Sequence, residues 1–327
     1  MTATSQPLRR TLLPVGKQFS NLAAPYTSIP RAYRALSTTT QLRQEKATTL
    51  LQDKQNGFGY IRSNARPEKP RKVGVTEIRG PYYSAYGKRH LQDVLETFGH
   101  HVDGLKFSGG GFSLMPEQRL RELIDIAHEH GVYVSTGGWM EHILTQSDAM
   151  DAVEKYLRKC KDLGFDVVEC SAGFLSIPSD DFIRLVDKVQ SMGLSAKPEL
   201  GIQFGAGGDT AAEELEAAGS SDPSKVVNLA KRFIDEVGVE RIMIESEGIT
   251  ENVKSWRTDV IQNILKELPA EKVMFEAADP AVFNWYIREF GVDVNLFVDH
   301  SQIVQLSCLR SGIWGMADTF GKVVSYR

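Results

Sequence analysis

The sequence predicts an α/β fold, a (β/α)8 TIM-type barrel behind a disordered basic leader, on three observations. Short apolar runs alternate with amphipathic stretches eight times in the roughly 255 residues after Lys72. Polar and charged residues collect at the ends of those runs. The charge is divided: residues 1–72 carry 13 Lys and Arg against 3 Asp and Glu, whereas residues 73–327 carry 25 against 39. The formal net charge of −4 over 327 residues therefore describes neither part.

A content of 42% hydrophobic and 24% charged residues excludes a wholly disordered, collagen-like or disulfide-framework chain. The cysteines Cys160, Cys170 and Cys308 are widely spaced with no CxxC pair, which points to a reducing compartment and against a structural zinc site.

The leader comes first. Met1 to Gln44 contains no acidic residue, six basic ones (Arg9, Arg10, Lys17, Arg31, Arg34, Arg43) and eleven Ser and Thr. It holds no apolar run of signal-peptide or membrane length. Residues 1–44 therefore read as a mitochondrial transit peptide directing the chain to the matrix; a cytoplasmic protein with a disordered basic tail is the alternative. A nucleic-acid arm is disfavoured, because the acidic part behind it repels phosphate. Residues 45–72 read as a polar linker ending in Arg66-Pro67-Glu68-Lys69-Pro70-Arg71-Lys72, whose prolines favour an extended approach to a barrel over residues 73–327.

The expected strands are Val73–Arg79, Gly104–Ser108, Val132–Thr136, Asp166–Cys170, Leu194–Glu199, Arg241–Glu245, Lys272–Glu276 and Asp293–Val298. Helices follow them, most clearly Pro116–His130 and Ser179–Met192, where apolar residues recur every three or four positions. Asp148, Ser179, Asp279 and Ser301 are expected N-caps, Pro116 a helix start, and Gly99, Gly131, Gly164, Gly193, Gly238 and Gly291 helix stops. An open doubly wound sheet is the rival, but no GxGxxG follows the first strand, so no nucleotide cofactor is expected.

A barrel keeps its chemistry at the carboxyl ends of its strands. There stand Arg79, Lys106 with Ser108, Ser135 with Thr136, Glu169 with Ser171, Lys197 with Glu199, Glu245 with Glu247, Glu276, and Asp299 with His300. Residues two apart share a face, so Lys106/Ser108 and Lys197/Glu199 can point together. Glu169, Glu199, Glu245 and Glu276 converging on one mouth would repel one another, and a hard divalent cation such as Mg²⁺ resolves this. Glu199, Glu245 and Glu276 are the candidate metal ligands; Lys106, Glu169, Lys197 and His300 are the candidate catalytic residues. A ring of solvated charges is the bland alternative. Arg79, Ser108, Gly109, Thr136 and Gly137 are candidate substrate contacts, since Gly109-Gly110-Gly111 and Gly137-Gly138 can offer backbone N–H groups to an anion, or simply make tight turns. Gly205-Ala206-Gly207-Gly208 opens an acidic insertion to about Pro223, either a lid or a mobile loop. His128 and His130 read as helix-end caps; Trp139, Met140, Trp285 and Tyr286 read as core, and the cysteines as structural.

Several of these segments resemble the phosphosulfolactate synthase family: Gly104-Leu105-Lys106-Phe107, Gly164-Phe165-Asp166 leading to Glu169, Met274-Phe275-Glu276-Ala277, Val294-Asn295-Leu296 and Asp318-Thr319-Phe320-Gly321-Lys322-Val323. The segments Arg66–Arg71, Gly74–Glu77, His128–Gly137 and Val298–Ile303 are similar to its plant heat-stress-associated branch. The resemblance implies a (β/α)8 barrel using Mg²⁺ to add sulfite to phosphoenolpyruvate. Lys106 would be the leading cationic residue and Glu169, Glu199, Glu245 and Glu276 the strand-end carboxylates.

The chain also departs from the family pattern. Arg79-Gly80-Pro81 replaces Asp-Lys-Gly, Ile202-Gln203 replaces paired lysines, Glu247 replaces an arginine, and Met316-Ala317 replaces Arg-Gly. Several anion-binding cations are thereby missing. Two functions follow as expectations: a Mg²⁺-dependent lyase acting on a small anionic carboxylate such as phosphoenolpyruvate, or a non-catalytic stress-associated barrel working through protein contacts. No nucleic-acid partner and no membrane span are expected, and a homo-oligomer is compatible with the sequence. Replacing Lys106 by alanine is expected to abolish turnover with little change in stability.

Overall fold

The computed structural model describes residues 48–217, 222–277, 279–320 and 322–324; the leader lies outside them. Eight parallel strands close into a barrel in sequence order: β1 Thr76–Arg79, β2 Gly104–Phe107, β3 Tyr133–Thr136, β4 Val167–Cys170, β5 Ser195–Leu200, β6 Ile242–Ile244, β7 Val273–Glu276 and β8 Asn295–Asp299. Closure joins β8 back to β1, with Thr76 opposite Leu296 and Arg79 opposite Asp299.

Strands buried on both faces read as short apolar runs because helices cover the outside and side chains fill the inside. The helices show why. Glu117–Glu129 buries Leu120, Leu123, Ile124 and Ala127, a single apolar stripe at helical period, and Ser179–Ser191 does the same with Phe182, Val186 and Val189. Met140, Trp285 and Tyr286 are core residues, and all three cysteines are free thiols. Among the described residues no helix is long and apolar enough to cross a membrane.

The expected helix starts are partly corrected. Asp148 and Asp279 cap as expected, accepting from Asp151 N–H and Ala281 N–H. Ser179 is the first helical residue, with Pro178 at the cap position and no side-chain cap. Ser301 instead donates, its N–H and hydroxyl both bonding Asp299 Oδ1 at 2.9 and 2.6 Å, so the carboxylate is the cap. The first strand also starts late: Gly74 turns through φ +64°, its N–H bonding Asp293 O at 2.7 Å, and the ladder begins only at Thr76.

Inside the barrel, Val75, Met243, Met274 and Phe297 form a small apolar cluster beside Tyr133. Fully buried charges from β1, β2, β4 and β5 (Glu77, Lys106, Glu169 and Lys197) lie beside it.

The chain before β1 straps across the amino-terminal end of the barrel. Arg66 donates to Gly74 O at 2.6 Å and to His101 Nδ1 at 3.1 Å. Lys69 Nζ bridges Gly99 O and His130 O at 2.9 and 3.0 Å, and Arg71 pairs with Asp103 at 2.8 Å. The cationic side chains of this segment thus donate to carbonyls and a carboxylate around the barrel floor.

Candidate active site

The carboxyl ends of the strands surround a cavity of about 520 Å³. Lys106 occupies its floor, Nζ lying 2.7 Å from Glu169 Oε2 and 3.0 Å from Glu199 Oε2, with its side chain 6% exposed. It also stands 4.5 Å from the centre of the Phe297 ring. Burial opposes its charge, but Glu169, Glu199, Glu276 and Glu77 outweigh burial and hold its pKa well above the ordinary lysine value. Glu169 responds oppositely: burial, then the nearby Glu199, push its carboxyl up to about 8 against the pull of Lys106 and Lys197. Glu199 is held below the usual range despite burial, chiefly by Lys106 and then by its hydrogen bonds to Lys106 and Glu169. Two neighbouring carboxyls with opposed shifts suit a division between a proton-bearing and an ionised member.

Glu199, Glu245 and Glu276 present ligand oxygens within 4.8 Å of one another. Burial and mutual repulsion hold Glu245 well above the usual carboxylate range, and Glu276 is raised as well, burial outweighing the pull of Lys106 and Arg79. One oxygen of each is already engaged, Glu199 by Lys106, Glu276 by Arg79 and Glu245 by the Ser246 N–H, and each carboxylate keeps a second oxygen. An all-oxygen donor set that crowds like charges fits a hard divalent cation.

Arg79 closes one wall. It pairs with Glu276, donates to the Tyr83 hydroxyl at 2.7 Å and packs over Tyr82, Tyr83 and Phe297, while its Nε is buried without a partner. Ser108 Oγ is likewise buried and unpartnered at the cavity wall, next to Gly109 at φ +54°. Unsatisfied donors facing one cavity are what a bound polar ligand completes.

The structure separates the other candidates from this group. Lys197 lies deeper, Nζ 2.5 Å from Glu77 and 3.3 Å from Glu169, and lines a second cavity at the opposite end of the barrel. Thr136 is buried, its hydroxyl accepting from Glu169 N–H at 3.1 Å. Gly137 lies behind the wall, where a Cβ would meet Gly109 N at 2.5 Å; Gly138 lines the cavity in its place. His300 packs with Tyr86 and His90, Nδ1 standing 3.6 Å from Asp299 and unpartnered. Burial, aided by His90, outweighs Asp299 and holds this imidazole below its usual pKa. His128 is no simple cap either, since Nε2 meets Asp166 Oδ2 at 2.8 Å.

Sequence reasoning missed two acidic contributors, Glu77 and Glu141, and the role of a third, Glu247. Glu77 anchors Lys197 and accepts from Tyr133 Oη at 2.8 Å, two positions below the strand end. Glu141 reaches the cavity from the helix after β3 and accepts from the Gly173 and Phe174 N–H groups at 2.9 and 2.8 Å. Glu247, expected only as a strand-end charge where the family has an arginine, accepts from Gly207 N–H at 2.6 Å, Gly208 N–H at 3.2 Å, Thr210 N–H at 2.9 Å and Asn252 Nδ2 at 2.8 Å. It therefore clasps the glycine-rich loop over the mouth. The burial of Lys106 bears on the stability expectation too, because removing it takes a cation from two buried carboxylates and leaves Glu169 with Lys197 at 3.3 Å.

Known proteins bear on this geometry. The (2R)-phospho-3-sulfolactate synthase (ComA) family matches residues 64–316. The chain is 41% identical to Protein HEAT-STRESS-ASSOCIATED 32 of Arabidopsis thaliana over 255 residues, 75% of this chain and 88% of that one. It is 25% identical to the phosphosulfolactate synthase of Methanothermobacter thermautotrophicus, covering 82% of this chain and 99% of that protein. A second archaeal phosphosulfolactate synthase, from Methanocaldococcus jannaschii, is 24% identical over 72% of this chain and 90% of its own length. The expected resemblance is thus established, and the chain belongs to the (2R)-phospho-3-sulfolactate synthase (ComA) family.

Proposed function

We propose that the mouth carries out Mg²⁺-assisted enolate chemistry on a small anionic carboxylate, of the type that adds sulfite to phosphoenolpyruvate. The observation that carries this reading is Lys106 bridging Glu169 and Glu199 beside three glutamate oxygens gathered within 4.8 Å. Glu199, Glu245 and Glu276 would hold the cation, which supplies stabilisation of negative charge on the substrate carboxylate.

The chain's own residues do the rest. Lys106, kept cationic by its glutamates, faces the charge that develops when sulfite sulfur bonds to the methylene carbon and the double-bond electrons move toward the carboxylate. Glu169 stands on the same floor and is the proton donor to the adjacent carbon, ending the addition. Ser108 Oγ and the Arg79 guanidinium, each with an unpartnered donor, orient the anion. Lys197 and Thr136 act through Glu169 as positioning residues. Residues 1–44 address the chain to mitochondria; a reporter fused to residues 1–50 that stays cytosolic would overturn that address.

One observation favours the second reading, a non-catalytic barrel working through protein contacts. Among the described residues eight carboxylates line the cavity (Glu141, Glu169, Glu199, Asp209, Glu245, Glu247, Glu251 and Glu276) against two lysine or arginine side chains, Arg79 and Lys106, both paired. The deciding experiment incubates the full chain with sulfite and phosphoenolpyruvate, or pyruvate in its place, with and without Mg²⁺. A Mg²⁺-dependent C–S product that disappears in Lys106→Met supports the enzyme. Neither turnover nor thermal stabilisation with any small carboxylate supports the second reading.

A further inference from the structure

The second cavity, about 290 Å³, opens at the amino-terminal end of the barrel, away from the mouth. Its walls include Lys69 and Arg71 of the strap, Tyr133 and Ser195 at the starts of β3 and β5, and Arg241 just before β6. Arg241 is the anomaly. It is 8% exposed, its Nε is buried with no hydrogen-bond partner, and its Nη2 makes a long 3.4 Å approach to Glu240, whose side chain is 69% exposed.

The other charges around it are spoken for. Asp103 pairs with Arg71 at 2.8 Å and accepts from Thr76 N–H at 2.9 Å. Asp166 accepts from Val134 N–H at 2.7 Å and meets His128 at 2.8 Å. Lys197 is held by Glu77 and Glu169. A buried guanidinium whose carboxylate partner is distant and exposed is poorly compensated, and its planar fork matches two oxygens of one anion.

We infer that this lower cavity is a binding site for a small oxyanion of the phosphate type, free or as the end of a small ester, seated on Arg241 with Lys69 and Arg71 beside it. The volume sits at the small end of the ~300–1,000 Å³ typical of ligand pockets, which excludes a nucleotide-sized occupant. Lys69 agrees with this assignment: burial brings its pKa down to about 8, and an anion nearby would raise it again. The occupant would brace the strap against the barrel floor and would stabilise the fold without entering the mouth.

The test is isothermal titration and thermal unfolding of the full chain with inorganic phosphate and with glycerol phosphate, against chloride at equal ionic strength. Wild type binds at least one of the two and unfolds at higher temperature with it; the tighter of the two names the source. Losing charge-assisted hydrogen bonds in Arg241→Gln weakens binding by about tenfold or more. Ser195→Asp places a carboxylate at an exposed strand start in the wall and abolishes binding while the barrel still folds, so the test survives if Arg241→Gln does not fold. Arg79→Gln, altering the mouth, leaves phosphate binding intact. No binding by wild type, or binding lost in Arg79→Gln and kept in Ser195→Asp, overturns the assignment.

Discussion

Glu169 Oε2 lies 2.7 Å from Lys106 Nζ and 3.3 Å from Lys197 Nζ, so one buried carboxylate joins the floor of the mouth to the lumen beneath it. Charges so placed make the barrel interior an electrostatic unit rather than an apolar plug.

Lys106→Met should therefore cost stability as well as activity. Breaking a buried pair leaves an unpaired charge and costs about 3–5 kcal/mol. Urea unfolding should show that loss, and Glu169→Gln added to Lys106→Met should recover part of it. Equal midpoints for wild type and Lys106→Met would contradict the coupling.

Glu245→Gln should behave differently. The Glu245 carboxyl already resists ionisation through burial and its neighbours Glu276 and Glu199, so a neutral isostere relieves crowding. Without divalent cations the variant should be as stable as wild type or more so, by about 1 kcal/mol. With millimolar Mg²⁺ wild type should gain stability, about 2.7 kcal/mol at a hundredfold excess over the dissociation constant. The variant should gain much less, and chelation should reverse the wild-type gain.

The strap predicts an acid limb. Burial, then His100, Arg66 and Arg71, bring the His101 pKa down to about 3, and Arg66 donates to its Nδ1. A depressed folded value means the unfolded chain binds the proton first. His101 thus contributes stability that is fully present above about pH 6.5 and is lost as pH falls toward 3, at up to about 1.4 kcal/mol per pH unit. His101→Gln keeps an acceptor but cannot titrate, so its stability curve should be flatter across that window in urea titrations at stepped pH.

Glu247→Ala should unfasten the loop over the mouth while sparing the barrel. Amide exchange at Gly207, Gly208 and Thr210 should accelerate by about tenfold or more, since their shared acceptor is gone. Exchange in the β-strand amides should not change.

The strand-end residues were readable because a parallel barrel alternates its side chains and places its carboxyl ends at one rim. Arg79, Lys106, Ser108, Glu169, Glu199, Glu245 and Glu276 all line the mouth for that reason. Depth along a strand was not readable. Lys197 stands two residues before Glu199 on the same face, yet those two positions put it on the other cavity. Glu141 gave no periodic signal because a short helix, Met140–Leu144, delivers it. The clasp made by Glu247 was not readable because most of its partners are backbone amides, which no side-chain pattern announces.

The strap also orders events in time. Asn64 Nδ2 donates to Arg310 O and Val323 O, contacts that span 246 and 259 residues. Such pairings form only after the chain through Val323 exists, and high contact order slows folding. Asn64 must then wait for Arg310 and Val323. A chain released before residue 323 would keep the hydrogen bond from Asn64 N–H to Ser311 O but lose the one to Val323 O. The strap is thus completed only once the chain through Val323 is in place.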